Sequence, residues 1–231
     1  MIGVYDYTVI LTYLSTCSGL LGIIFTMTEV GHPYCGTLFL MISGLLDGFD
    51  GKVARTKQNR TDLEKRFGIQ IDSLSDLICF GILPATIGIA QLRVNGRLPE
   101  LSLTDKQIPN HMGLLVLLIS IAVFYVLSAL IRLAYFNSTT EERAEEAKIK
   151  GKEYFTGMPV TVAALIFPLT LVVHWFVRAD LTMFYFWVLF IMSLLFIGNF
   201  KVPKPNIKQF IGIFFVGLVE FVAVIFILFF S

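Results

Sequence analysis

The stretch DGFDGKVARTKQNRTDLEKRFGIQIDSLSD, residues 47–76, places four aspartates, Asp47, Asp50, Asp72 and Asp76, where two apolar runs meet. Those runs read Pro33–Ala54 and Gln70–Leu92. Crossing a hydrocarbon core of about 30 Å takes about 20 apolar residues in a helix. Both runs are long enough, and the short connection between them makes an antiparallel pair. The two aspartate pairs then lie at the same depth. Asp47 and Asp50 are spaced i,i+3 and Asp72 and Asp76 i,i+4, so each pair shares one helix face. Ionisable residues in or beside spanning helices are costly and are functional candidates by default.

The rest of the chain fits a membrane protein. Of 231 residues, 56% are hydrophobic and only 15% charged, with 22 Phe. A soluble domain carries about a quarter charged residues. Mean hydropathy is +0.77. Seven runs are long enough to span: Thr8–Met27, Pro33–Ala54, Gln70–Leu92, Met112–Phe136, Pro159–Val177, Leu181–Gly198 and Ile207–Phe230. Most of the 18 Lys and Arg lie at the ends of, or after, the second, fourth and sixth runs, including Lys52, Arg55, Lys57, Arg60, Lys65, Arg66, Arg132 and Lys201. The positive-inside rule places that side, with the aspartates, in the cytoplasm. The expectation is one all-α membrane domain over residues 1–231, with an external loop at Arg93–His111. The polar segment Ser138–Glu153 can prolong the fourth helix beyond the bilayer. A net charge of +1 gives no reason to expect nucleic acid as a partner. Cys17, Cys35 and Cys79 lack metal-ligand spacing.

Four facing carboxylates repel strongly at low dielectric. A cation must hold them together. Hard oxygen ligands select magnesium, manganese or calcium over zinc. Two such ions a few ångströms apart suit phosphate transfer. Gly51 and Ala54 continue the Asp47 face and let a ligand or backbone come close. On these grounds alone, a phosphate-transfer enzyme and a divalent-cation transporter both remain open.

Asp47-Gly-Phe-Asp50-Gly51-Lys-Val-Ala54-Arg55, followed by Gly68-Ile-Gln-Ile-Asp72-Ser-Leu-Ser-Asp76, resembles the signature of the CDP-alcohol phosphotransferase family. That signature reads D-x2-D-G-x2-A-R, a spacer, then G-x3-D-x3-D. Every fixed position is present. The resemblance implies a core of six spanning helices, with the C-terminal run added to it, a homodimer in the lipid bilayer, and a site open to the cytoplasmic side of the cell membrane. It implies a pair of Mg2+ or Mn2+ ions held by Asp47, Asp50 and Asp72, with Asp76 as general base and a further ligand. It implies nucleotide binding by Asp47, Gly51, Ala54, Arg55 and Gly68; for Arg55 an ion pair with an aspartate is the rival role.

Three further blocks are similar to the type II phosphatidylserine synthases of that family. They are Asp72-Ser-Leu-Ser-Asp76-Leu-Ile-Cys-Phe-Gly-Ile-Leu-Pro84-Ala85, Arg132-Leu-Ala-Tyr-Phe-Asn137 and Phe155-Thr-Gly157-Met-Pro159. Cys79 stands where that block has Ser, and Tyr135 where it has a second Arg. The Pro-Asn pair common before the first span is replaced by Tyr7-Thr8. The implied substrates are a CDP-activated lipid and L-serine. Arg132 is then a candidate for binding the serine carboxylate or a lipid phosphate through its guanidinium fork, against a snorkelling role. Asn137 binds polar substrate groups or caps its helix.

Overall fold

The computed structural model describes residues 3–28, 32–94, 112–140, 142, 154–177, 180–203 and 207–230. Its helices are α1 (Tyr7–Met27), α2 (Pro33–Ala54), α3 (Asp62–Val94), α4 (Met112–Ser138), α5 (Ala163–Val177), α6 (Thr182–Ile197) and α7 (Ile207–Phe230). Five of them, α1, α3, α4, α5 with its leading 3-10 turn, and α7, are long and apolar enough to cross a membrane. Helix α2 carries the aspartates at its end, and α6 is a shorter apolar helix of 16 residues. The protein is an all-α polytopic integral membrane protein. The expected loop after Arg93 lies at 95–111, and most of the polar segment after Ser138 at 143–153, outside the described residues.

Helix α1 turns polar and small residues inward. Thr8, Thr12, Ser15, Ser18, Gly19, Gly22 and Thr26 recur at three- and four-residue steps and are buried. Ile10, Leu14, Leu21 and Ile24 face outward. Lipid tails are as apolar as leucine, so helix association inside a bilayer relies on close packing and hydrogen bonds. The contacts with α2 show this. Ser15 Oγ donates to the Ser43 carbonyl at 3.3 Å, and Ser43 Oγ donates to the Ser15 carbonyl at 3.1 Å. A Cβ added at Gly44 would lie 2.5 Å from the Ala164 Cβ of α5, so only glycine permits that approach.

Helix α3 begins at Asp62, well before the apolar run that starts at Gln70. Its first turn is closed by a capping box. Thr61 Oγ1 accepts from the Glu64 amide at 3.2 Å, and Glu64 Oε2 accepts from the Thr61 amide at 2.8 Å. Hydropathy could not reveal this start, because the cap and first turns are polar.

Beyond Asp76 the helix widens into a π-helical segment, Leu77–Ile82, where the Leu83 amide bonds the Ile78 carbonyl. Pro84 accounts for it. Proline has no N–H to give to the carbonyl four residues back, which belongs to Phe80. The Tyr125 hydroxyl of α4 donates to that carbonyl at 2.7 Å. The Tyr185 hydroxyl of α6 bonds the Pro84 carbonyl at 2.9 Å. Both tyrosines are fully buried, and Phe167 packs against each of their rings. This aromatic knot holds α3, α4, α5 and α6 together.

At the far end, Arg93 closes α1 by donating to the carbonyls of Thr26, Met27 and Thr28 at 2.6 to 3.0 Å. At the aspartate end the all-helical expectation needs one addition. β1 (Tyr154–Thr156) pairs antiparallel with β2 (Lys201–Pro203), Phe155 opposite Val202. Gly157, at φ 73°, turns the chain from this ribbon into α5, with its amide on the Phe200 carbonyl at 2.8 Å.

Tyr125→Phe should lower thermal stability, because it strands a buried carbonyl at a cost of about 1–3 kcal/mol. In a Pro84→Ala background, where an amide returns to position 84, the same change should cost less. Unfolding of the four proteins in one detergent measures both effects.

Candidate active site

The four signature aspartates converge. Asp47 and Asp50 lie on the last turns of α2, and Asp72 and Asp76 lie on α3 just ahead of the π-helical segment. Across the helix pair, the Asp47 carboxyl meets Asp76 and the Asp50 carboxyl meets Asp72. Asp50 is buried at 8% exposure, whereas Asp47, Asp72 and Asp76 are half-buried. None of the ion pairs among the described residues engages these four groups.

Their geometry fits a hard cation. Asp47, Asp50 and Asp72 each offer a carboxylate oxygen, and these oxygens lie within 4.8 Å of one another. Oxygens that bind one ion at about 2.1–2.4 Å can be separated by at most about 4.2–4.8 Å. Three carboxylates with no imidazole or thiolate among them are a donor set for magnesium, manganese or calcium. Asp76 stands outside this triple, in contact with Asp47.

The other signature positions surround the cluster. Gly51 is exposed at the end of α2. Arg55 folds back, donating from Nε to the Gly51 carbonyl at 2.8 Å, so its observed partner is backbone and not an aspartate. Ala54 is the last residue of α2. Gly68 lies under the Arg60 guanidinium; a Cβ there would come within 2.7 Å of Nη2.

Arg132 does not snorkel. It is only 7% exposed, donates from Nε to the Met158 carbonyl at 2.5 Å, and stacks over Phe136 at 5.2 Å. The positive charge is thus held at the junction of α4 with the turn leading to α5. Asn137 does not cap its helix with its side chain. Its Nδ2 donates to Ser73 Oγ at 2.9 Å, which ties α4 to the residue beside Asp72.

Two features escaped the sequence reading. Thr12 of α1 donates from Oγ1 to Asp50 Oδ2 at 3.1 Å, and Thr16 Oγ1 lies 2.8 Å from Ser75 Oγ on α3. The inward Thr and Ser stripe of α1 was the available signal. The second feature is Lys57, in the loop between the signature halves. It bonds Asp6, ahead of α1, and Glu64 at 2.8 Å. These bonds, first to Asp6 and then to Glu64, raise the lysine pKa. The same bond to Lys57 holds the Glu64 carboxyl below its usual range, so the pairing persists through neutral pH, fading in acid as the carboxylate protonates and in strongly alkaline medium as the lysine loses its proton.

The family model described as CDP-alcohol phosphatidyltransferase matches residues 8–198. The chain belongs to that family. The match ends where α6 ends, so α7 lies beyond it. The chain is 32% identical over 162 residues to a CDP-diacylglycerol--serine O-phosphatidyltransferase of Saccharomyces cerevisiae, covering 68% of this chain and 50% of that protein. It is 31% identical over 155 residues to the protein of the same name from Mycobacterium leprae, covering 67% and 43% respectively. It is also 31% identical over 156 residues to an archaetidylserine synthase of Methanothermobacter thermautotrophicus, covering 68% and 53%. The chain thus spans about half the length of these curated relatives.

Removal of divalent metal should destabilise the wild-type protein. A ligand at 100 times its Kd stabilises by about 2.7 kcal/mol, so melting in Mg2+ or Mn2+ should occur several degrees above melting in EDTA. In Asp72→Asn that gap should shrink. In EDTA alone the variant should melt above wild type, because one repelling charge is gone. Thermal melts with and without chelator test both statements.

Proposed function

We propose that this protein transfers a phosphatidyl-type group from a CDP-activated lipid, CDP-diacylglycerol or an ether-linked analogue, to the hydroxyl of L-serine, with release of CMP. The observation that carries the reading is the convergence of four aspartates at the family spacing on facing helix ends. The names of the relatives, the three blocks of sequence that include Arg132 and Asn137, and the bond from Asn137 to Ser73 beside Asp72 support serine as acceptor. The distribution of Lys and Arg supports a cytoplasmic site.

In this reading Asp47, Asp50 and Asp72 hold two Mg2+ or Mn2+ ions, which supply charge neutralisation on the diphosphate when bound. Gly51 and Ala54 leave room for the nucleotide, Gly68 does so once the Arg60 guanidinium that covers it turns aside, and Arg55 turns from the Gly51 carbonyl toward it. The side chains of Arg132 and Asn137 orient serine through its carboxylate and polar groups. Asp76 accepts the hydroxyl proton as the serine oxygen attacks the phosphorus that carries the lipid. A new serine O–P bond forms, the bond from that phosphorus to CMP breaks, and CMP leaves with the bonding pair. Positioning supplies most of the acceleration, because it replaces a three-body encounter with a held geometry.

Protein purified in detergent should release CMP from CDP-diacylglycerol with Mg2+ or Mn2+ only when L-serine is present. Asp76→Asn should lower kcat by about 10²-fold or more, the scale of a general base. Release with glycerol 3-phosphate or inositol phosphate alone would replace serine as the acceptor. No CMP from folded protein with either an ester- or an ether-linked donor would leave divalent-cation transport as the surviving reading. Arg132→Lys should raise the serine KM about tenfold or more while leaving the donor KM nearly unchanged, since lysine loses the planar fork.

A further inference from the structure

The reactive carboxylates sit on α2 and α3, yet a hydrogen bond reaches one of them from outside that pair, from α1. Thr12 is 5% exposed, and its Oγ1 to Asp50 Oδ2 distance is 3.1 Å. A threonine hydroxyl has one proton to give, and here it goes to the most buried of the signature aspartates. An ionised carboxylate has about four lone-pair sites. Thr12 takes one on Oδ2 and fixes the rotation of the group, leaving the remaining lone pairs for a cation.

The position of Thr12 is itself determined from both sides. Ser75 Oγ donates to the Thr12 carbonyl at 3.4 Å, and Thr16, one turn on, lies 2.8 Å from the same Ser75 oxygen. Beside Thr16, Ser15 Oγ donates to the Ser43 carbonyl of α2 and Ser43 Oγ donates back to the Ser15 carbonyl of α1. Ahead of the helix, Asp6 is tied through Lys57 to Glu64. Helix α1 is thus pinned to α2 and α3 above and below Thr12, so the hydroxyl has little freedom to leave Asp50.

We infer that Thr12 is a positioning residue that presets Asp50 for divalent metal, acting through that carboxylate without touching substrate. Groups that orient metal ligands from behind commonly contribute 10- to 100-fold in affinity. The inference rests on the metal-site reading of the aspartate cluster.

The test is Mn2+ binding by the full chain in detergent, measured by electron paramagnetic resonance in the absence of substrates. Thr12→Val keeps the shape and removes the donor, and should raise the Mn2+ Kd about 10- to 100-fold. Thr12→Ala, which leaves a space beside Asp50, should also weaken binding and serves if the valine variant does not fold. Thr12→Ser keeps the donor and should bind as wild type does. In an Asp50→Asn background, adding Thr12→Val should change the Kd no further, because the two residues act as one unit. Wild-type binding with an unchanged Kd in Thr12→Val, whatever its melting temperature, would overturn the inference alone. Equal weakening with and without Asp50 would do the same. A wild type that binds no Mn2+ would overturn the metal reading and this inference together.

Discussion

Mutual repulsion among four carboxylates is the constraint around which this bundle is arranged. Asp47, Asp50, Asp72 and Asp76 meet in contacting pairs on two adjoining helices, and no ion pair among the described residues relieves them. Such a group is tolerable only if neighbouring donors and a cation offset its charge. The surrounding structure provides one such donor and a tie beside the cluster. Thr12 approaches Asp50 from α1, and Asn137 holds Ser73 beside Asp72 from α4. Three oxygens within 4.8 Å of one another leave a place where a hard cation fits.

Holding that arrangement takes backbones that come unusually close. Between α1 and α2 the contact is made by hydroxyl-to-carbonyl exchange, with Ser15 and Ser43 bonding each other's backbone. Between α2 and α5 it is made by Gly44 against Ala164. Large apolar side chains are turned outward, with Ile10, Leu14, Val116, Leu117 and Phe215 all exposed. The surface differs from that of a soluble bundle, because the surrounding medium accepts apolar side chains, while the interior, which also holds an apolar core that includes Phe80, Leu83 and Phe167, must satisfy its polar groups internally.

The aspartates also depend on a disturbance just beyond them. Pro84 deprives the Phe80 carbonyl of its helical partner, the helix widens over Leu77–Ile82, and Tyr125 supplies a replacement donor. π-Helical turns concentrate at functional sites because they re-aim the side chains next to them. Here the widened segment begins directly after Asp76. The same proline therefore links the aromatic knot formed by Tyr125, Phe167 and Tyr185 to the rotation of the helix that carries two of the four carboxylates.

Much of this was legible in the chain itself. Hydrocarbon thickness fixes span length, so the apolar runs marked the seven long helices among the described residues, five of them long and apolar enough to cross a membrane, and helical periodicity put each aspartate pair on one face. The start of α3 at Asp62 was hidden, because a capping box is polar and hydropathy does not register it. The ribbon joining Tyr154–Thr156 to Lys201–Pro203 was hidden too, because its strands are distant in sequence and only three residues long. Residue types could nominate Arg132 and Asn137 but not their partners. Burial against Met158 and Phe136, and the bond to Ser73, arise from how α4 packs. The role of α1 was the least visible. A threonine carries no charge and costs little in an apolar helix, so sequence gave it no weight. Which carboxylate Thr12 meets was decided only when three helices closed on one another, since a hydrogen bond depends on distances that no spacing along one helix encodes.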